Sequence, residues 1–512
     1  MSALELVPIN TGASYKIIVP NENSNWYIPA TNEVLRGICI FDEENKFLHI
    51  CDGKQSDINV ISFMDRLDRQ DVQYEINITN YESISAAYTH EVENHGDATT
   101  NQSIVLSIIK DAMKKGSSDI HLIDRDGKSV IKFRINGNLI AQPLSSRTDR
   151  VKQLIPTIYP SMLDVSDTHH KEGKKQDGRI RKEILKELGL IGARVSTTPT
   201  DVGSLMVIRL MKDNSKSDLT IKMLGYADYH LAMMRKMQKK RRGIIILSGE
   251  TGSGKTTTLE CIMRELVVST KGTKHIFTIE NPPENSIDDV NHTPVLCEDF
   301  DDEAEVSASW ARSISSALRL DPDIVVVGEA RDKASAQAVF RAGMTGHQVY
   351  ATVHANDSTS ILDRLEDEGI QMSLLSNPKL VIGLVNQCLV PVTCKSCRIK
   401  LTKENENKLE EDLLFRIKER TEYIKGNIYL MGPGCNQCNY SGIEGRTVVA
   451  EIIMPSFELL NVFKKEGNAA ARHYWINTEH GKPLSHHLIQ KINSGDIDPD
   501  IAEQYACLLD EE

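Results

Sequence analysis

Gly249-Glu250-Thr251-Gly252-Ser253-Gly254-Lys255-Thr256 is the stretch on which the reading of this chain turns. It fits G-x-x-x-x-G-K-[ST], and its flanks supply the context that the pattern needs. Before it, Gly243-Ile244-Ile245-Ile246-Leu247 is a short apolar run suited to a strand buried on both faces. After it, Leu259, Ile262, Met263 and Leu266 recur at i, i+3, i+4 and i+7, which predicts one apolar helical face. Strand, glycine-rich turn and helix in that order let backbone N–H groups turn inward around phosphate oxygens, and the helix N-terminus adds positive potential. Lys255 then reaches the β and γ phosphates, and the Thr256 hydroxyl suits Mg²⁺. The competing reading is a glycine-rich turn that holds nothing.

Working outward, Asp323-Ile324-Val325-Val326-Val327-Gly328-Glu329 is a second apolar strand that ends in an acid. The carboxyl end of such a strand opens at the same crevice as the phosphate loop, so Glu329 can serve the metal or the attacking water. From about residue 230 strands and helices alternate, which predicts a parallel sheet covered by helices. Upstream, Ile104, Ile108, Ile109 and Ala112 share a helical face, and strands Ser118 to Ile123 and Val130 to Ile135 follow, joined by Asp126-Gly127. Polar stretches at residues 93–101 and 212–222 read as linkers. Residues 1–92 alternate short β-rich runs with turns and a helix near Ile61 to Leu67, without a chemical motif.

The bulk properties limit the function classes. A length of 512 residues predicts two to four domains and excludes a peptide hormone or a disulfide-stapled toxin. The composition, 40% hydrophobic and 26% charged, is that of a folded globular chain. A net charge of −12 argues against a protein coated in nucleic acid. The strongest apolar run, Leu380 to Val392, is broken by Asn386 and Gln387, and the first residues lack a basic n-region and an apolar h-region. A cytoplasmic protein that meets membranes only through partners is therefore expected.

Four blocks then occur together: the phosphate loop; Thr278-Ile279-Glu280-Asn281-Pro282-Pro283-Glu284; Leu318-Arg319-Leu320-Asp321-Pro322-Asp323 running on to Gly328-Glu329-Ala330-Arg331-Asp332; and Thr345-Gly346-His347 through Val353-His354-Ala355-Asn356-Asp357. In this order they resemble the secretion ATPases that power type II secretion and type IV pilus assembly. Upstream, Ser118-Asp119-Ile120-His121, Phe133 to Gly137, Gln176-Asp177-Gly178-Arg179 and Arg194-Val195-Ser196 extend the resemblance, which covers residues 102–455.

The resemblance implies an N-terminal adaptor domain (1–92), a PAS-like middle domain (102–211), a linker (212–229) and a RecA-like α/β ATPase domain (230–512) that forms a homo-hexamer. ATP would be held by Gly249, Thr251, Gly252, Ser253, Gly254, Lys255, Thr256 and Thr257, with Mg²⁺ on Thr256. Glu329 would sit near metal and γ-phosphate, and Glu284 would polarise water, although the residues alone do not choose among Glu280, Glu284 and Glu329. Arg179 and Arg194 would reach over from the middle domain to the γ-phosphate; the alternative pairs them with Asp177 or Asp201. His354 would sense the γ-phosphate. The partner implied is an inner-membrane platform protein, and no direct nucleic-acid contact is expected.

Cys394-Lys395-Ser396-Cys397 and Cys435-Asn436-Gln437-Cys438 supply four thiolates, enough for a closed structural Zn²⁺ site in an element spanning about 388–450. Arg235 to Arg242 carries six cations but no aromatic side chain for base stacking, so it reads as a helix C-terminus. The chain departs from the family pattern at Asn281, at Glu250, at Lys333-Ala334-Ser335 and at Cys388 and Pro391, which suggests a type IVb or plasmid-borne branch. The adaptor and cysteine element favour an assembly motor over a retraction motor. Two other readings are a DNA-translocating motor and a nucleotide-binding scaffold with little hydrolysis.

Overall fold

The computed structural model describes residues 17–18, 38–42, 46–69, 72–80, 84, 97–125, 128–143, 151–164, 170–171, 173–212, 218–281, 283, 285–297 and 302–511. Its strands form three main sheets in chain order. Strands β1 (Ile17–Ile18), β2 (Cys39–Asp42), β3 (Phe47–Cys51) and β4 (Glu75–Thr79) make the first. Helix Ile58–Arg69 packs Val60, Phe63 and Leu67, at helical spacing, against Phe41, Leu48 and Ile50.

The second sheet comprises β5 (Asp119–Arg125), β6 (Lys128–Ile135), β7 (Asn138–Ala141), β8 (Gln176–Ile180), β9 (Leu190–Thr200) and β10 (Gly203–Lys212), in the order β7-β6-β5-β10-β9-β8 and antiparallel throughout. Helices Asp97–Lys114 and Val151–Met162 supply the cover for one face, where Ile108, Ile109, Leu154 and Ile158 share a core with Ile120, Phe133, Val195 and Ile208. The first helix corrects one expectation. It begins at Asp97, inside the stretch read as a linker, because a polar first turn is compatible with a helix whose apolar face starts at Ile104. The Asp126-Gly127 turn lies outside the described residues.

The third sheet is the one predicted around the phosphate loop. Strands β11 (Gly243–Ser248), β12 (Ile276–Glu280), β13 (Val290–Pro294), β14 (Ile324–Val327), β15 (Gln348–Thr352), β16 (Val381–Thr393) and, after the short β17 (Ile399–Lys400) and β18 (Tyr429–Leu430), β19 (Ile443–Ile453) run in the order β13-β12-β14-β15-β11-β16-β19. All neighbours are parallel except β16 and β19. The apolar run of β11 divides as a strand must: Ile244 and Ile246 join the core on one face, Ile245 and Leu247 the core on the other. Each such buried side chain contributes about 1.5–3 kcal/mol.

The cysteine element is shorter than expected. It occupies residues 394–442, because 388–393 and 443–450 belong to β16 and β19. Helix Asp228–Gln238 starts within the expected 212–229 linker, of which residues 213–217 lie outside the described set. Among the described residues no helix is long and apolar enough to cross a membrane.

His230 on helix Asp228–Gln238 and His487 on helix Leu484–Asn493 pack with ring centroids 4.7 Å apart. Burial, then the charge of neighbouring histidines and lysines, drives His230 down to about 2; burial and Lys491 drive His487 down to about 3. Both stay neutral in the folded chain, whereas the unfolded chain protonates them below about pH 6.5. Their contribution is therefore complete above that pH and falls below it, by about 1.4 kcal/mol per pH unit per histidine. His230→Phe should flatten the decline of Tm between pH 7 and 5; an unchanged slope would refute neutral burial of this ring.

Candidate functional site

In the third sheet the carboxyl ends of β11, β12, β14, β15 and the middle of β16 meet at one edge, and the phosphate loop fills it. Helix Lys255–Thr270 starts directly from Gly254, whose φ of 85° needs glycine. Gly249 has φ 141°, and a Cβ there would lie 2.2 Å from the Gln387 carbonyl oxygen, so a side chain at this position is excluded twice. Lys255 Nζ donates to Gly249 O at 2.5 Å and Glu250 O at 3.1 Å. Burial lowers its pKa, opposed by the charges of Glu329 and Glu250. Thr256 is exposed at the helix start, and Thr257 is half-buried beside it.

Glu329 follows β14 and stands close enough to Lys255 to act on its charge. Its carboxylate also binds Arg331 Nε at 2.8 Å and His354 Nε2 at 3.2 Å, the latter just beyond β15. Glu280 is engaged otherwise: its Oε1 lies 2.9 Å from His292 Nδ1, whose ring accepts Ile287 N–H through Nε2. With Nε2 accepting, Nδ1 carries the proton and donates to Glu280. Glu284 lies outside the described residues.

The second sheet reaches the same edge. Pairing registers put Arg179 opposite Arg194, Arg194 opposite Arg209, Arg209 opposite Asp119 and Asp119 opposite Arg134. Directly opposed residues share a face, so four guanidinium groups and one carboxylate form a row on the side away from the covering helices. Asp119 binds Arg209 at 2.9 Å and Arg134 at 3.8 Å. Arg194 Nη2 donates to Asn281 O at 3.0 Å, which brings the row against the segment that follows β12. Arg179 Nε is buried without a hydrogen-bond partner. Among the described residues no ion pair joins Arg179 or Arg194 to Asp177 or Asp201.

Residues that the sequence reading passed over hold the loop from below. Asn386 Nδ2 donates to Ser248 Oγ at 2.9 Å and Ala355 O at 3.1 Å. Gln387 Nε2 donates to Ser253 O at 2.7 Å, and its Oε1 accepts from Tyr226 at 2.6 Å. The signal was present: these two amides interrupt an otherwise apolar run.

The four cysteines converge. Their sulfurs lie within 4.8 Å of one another, with Cys394–Cys435, Cys397–Cys438 and Cys435–Cys438 each at 3.8 Å. That is the edge of a tetrahedron with metal–sulfur bonds of about 2.3 Å. Burial opposes ionisation of Cys438, but N–H groups of Cys435 and Gly442 and the neighbouring thiols outweigh it and bring the group to about 6. The cluster is suited to a metal ion. The six cations of Arg235 to Arg242 are exposed, and only Arg235 and Lys236 belong to the last helical turn.

Comparison with known proteins agrees with this architecture. The family model described as type II/IV secretion system protein matches residues 93–504. The chain is 32% identical over 352 residues to type II secretion system protein E of Dickeya dadantii, covering 69% of this chain and 65% of that protein. It is 30% identical over 365 residues to the type IV pilus assembly ATPase PilB of Thermus thermophilus, covering 71% of this chain and 38% of that one. It thus spans less than two thirds of the length of either. The ATPase DotB of Legionella pneumophila superposes with a TM-score of 0.54 at 19% identity, over 79% of this chain and 95% of that one, and shares the expected RecA-like α/β fold.

Proposed function

This chain belongs to the type II/IV secretion system protein family, and on that premise we propose that it is an ATP-hydrolysing motor, active as a homo-hexamer, that powers assembly of type IV pili or type II secretion pseudopili. The observation that carries the reading is the Arg194–Asn281 contact, which brings cations of the second sheet to the edge where Lys255 and Glu329 stand. Lys255 and the loop amides bind the phosphates, and Thr256, with Glu329 near it, would hold Mg²⁺, which would supply positive charge against the transferred phosphoryl group. Arg179 and Arg194 stabilise the γ-phosphate, so that closure of the two sheets follows nucleotide state. Glu280 is occupied by His292, which leaves Glu329 and Glu284 for orienting water. His354, bound to Glu329, couples that carboxylate to β15 as a sensor.

The motor works at the cytoplasmic side of the inner membrane, held there by a platform protein rather than by its own insertion. Residues 1–92 act as adaptor, and the departures at Asn281, Cys388 and Pro391 are the ground for a type IVb or plasmid-borne branch. Co-purification with a polytopic membrane protein in a nonhydrolysable ATP analogue tests the platform; DNA-stimulated turnover would favour a translocating motor instead. ATP binding without turnover, even with partners present, would favour the scaffold reading that Asn281 motivates.

The cysteine cluster holds one structural Zn²⁺ in a closed shell. Protein purified without chelators should carry about one zinc per subunit, and Cys435→Ser should lower that content, since three thiolates leave the shell open. Metal analysis that finds none would exclude the site.

A further inference from the structure

We propose that Tyr226 is a positioning residue for nucleotide binding: through Gln387 it fixes the Ser253–Gly254 peptide so that its N–H faces a phosphate, and it thereby ties the loop to the segment joining the second and third sheets. The proposal rests on the reading of residues 249–256 as a nucleotide site. Its geometry comes from three linked hydrogen bonds. The Ser253 carbonyl can only accept, so the Gln387 side chain must present Nε2 to it, at 2.7 Å. The opposite end of the amide is then an acceptor, and the Tyr226 hydroxyl fills it at 2.6 Å. That hydroxyl also lies 3.3 Å from Thr258 Oγ1 on the helix leaving the loop.

A trans peptide points its C=O and N–H in opposite directions. Holding the Ser253 carbonyl outward on Gln387 therefore turns the Gly254 N–H toward the inside of the loop. Without Tyr226 the amide loses the donor that fixes its orientation, and a buried acceptor is left unpaired. The three residues are buried, so water does not replace the missing donor.

Tyr226 also closes the connecting segment that follows β10. Leu224 O accepts from Val448 N of β19 at 2.8 Å, and Leu219 O accepts from Cys261 Sγ of the loop's helix at 3.5 Å. Residues 218–227 of this segment thus touch strand β19 and the helix that leaves the loop, and Tyr226 touches the loop's own support.

ADP titration of the full-length chain, with Tm read on the same samples, is the test. Tyr226→Phe should raise the ADP Kd about tenfold, the size of one lost buried hydrogen bond, together with a Tm lower by a few degrees because Gln387 Oε1 is left unpaired. Gln387→Met should do the same, and the double variant should be no worse than Gln387→Met alone, because both act on one peptide. Additive losses, or a lowered Tm with unchanged Kd, would overturn the proposal. If Tyr226→Phe yields no folded protein, Gln387→Glu decides: it keeps the acceptor for Tyr226 but sets a carboxylate against the Ser253 carbonyl, so an unchanged Kd refutes the role. Wild-type protein that binds no ADP would overturn the reading of the loop itself.

Discussion

Lys255→Ala is expected to lower ATP turnover by at least about 100-fold and to weaken nucleotide binding, because the loop's one side-chain cation is removed from developing phosphate charge. Glu329→Gln should behave differently: it keeps shape, retains ATP, and slows hydrolysis by roughly two orders of magnitude if the carboxylate holds metal or water. Stability should change little in the second variant. Arg331 is largely solvated and His354 is about half exposed, so the lost contacts are of the surface kind, worth about 0–1 kcal/mol. Turnover within twofold of wild type in both variants would remove this edge of the sheet as the site of hydrolysis.

The second large effect lies at the arginine row. Arg179→Ala or Arg194→Ala should reduce turnover per folded subunit by roughly tenfold or more, with a smaller effect on ADP binding, if these cations meet charge that grows in the transition state. The sign of the stability change separates this from a structural role. Like charges directly opposite on neighbouring strands are unfavourable, so removing Arg179, whose buried Nε has no hydrogen-bond partner, should leave Tm unchanged or raise it, whereas Arg194→Ala also gives up the hydrogen bond to Asn281. Arginines kept for pairing with Asp177 or Asp201 would give the reverse pattern, a lowered Tm with normal turnover.

The parts of the site carried by adjacent residues were legible from sequence. Period-two burial of Ile244 to Leu247, the glycine spacing of the loop, Glu329 at a strand end and two Cys-x-x-Cys pairs are all local patterns. What escaped reading depends on register and on distant pairing. Nothing in the spacing of Asp119, Arg134, Arg179, Arg194 and Arg209 says that they form one row, because that follows from which residues face each other across five strands. Tyr226 and Gln387 are 161 positions apart, and Glu280 meets His292 only because β12 and β13 lie side by side. The helix start at Asp97 is hidden for a different reason: polarity alone does not break a helix, and the glycine in that stretch, Gly96, precedes the first helical residue.

Strand β16 has a second consequence. One of its residues, Gln387, supports the phosphate loop, and the residue just past its end, Cys394, belongs to the four-sulfur cluster. Six residues of extended chain lie between them, seven steps and about 23 Å of pleated backbone braced by the antiparallel partner β19. This two-stranded ribbon has the residue that supports the phosphate loop near its root and the four sulfurs at its tip. By simple leverage, a tilt of about 5° at the root carries the tip through about 2 Å over that span. For the same tilt, the sulfur cluster therefore travels farther than any atom beside the loop.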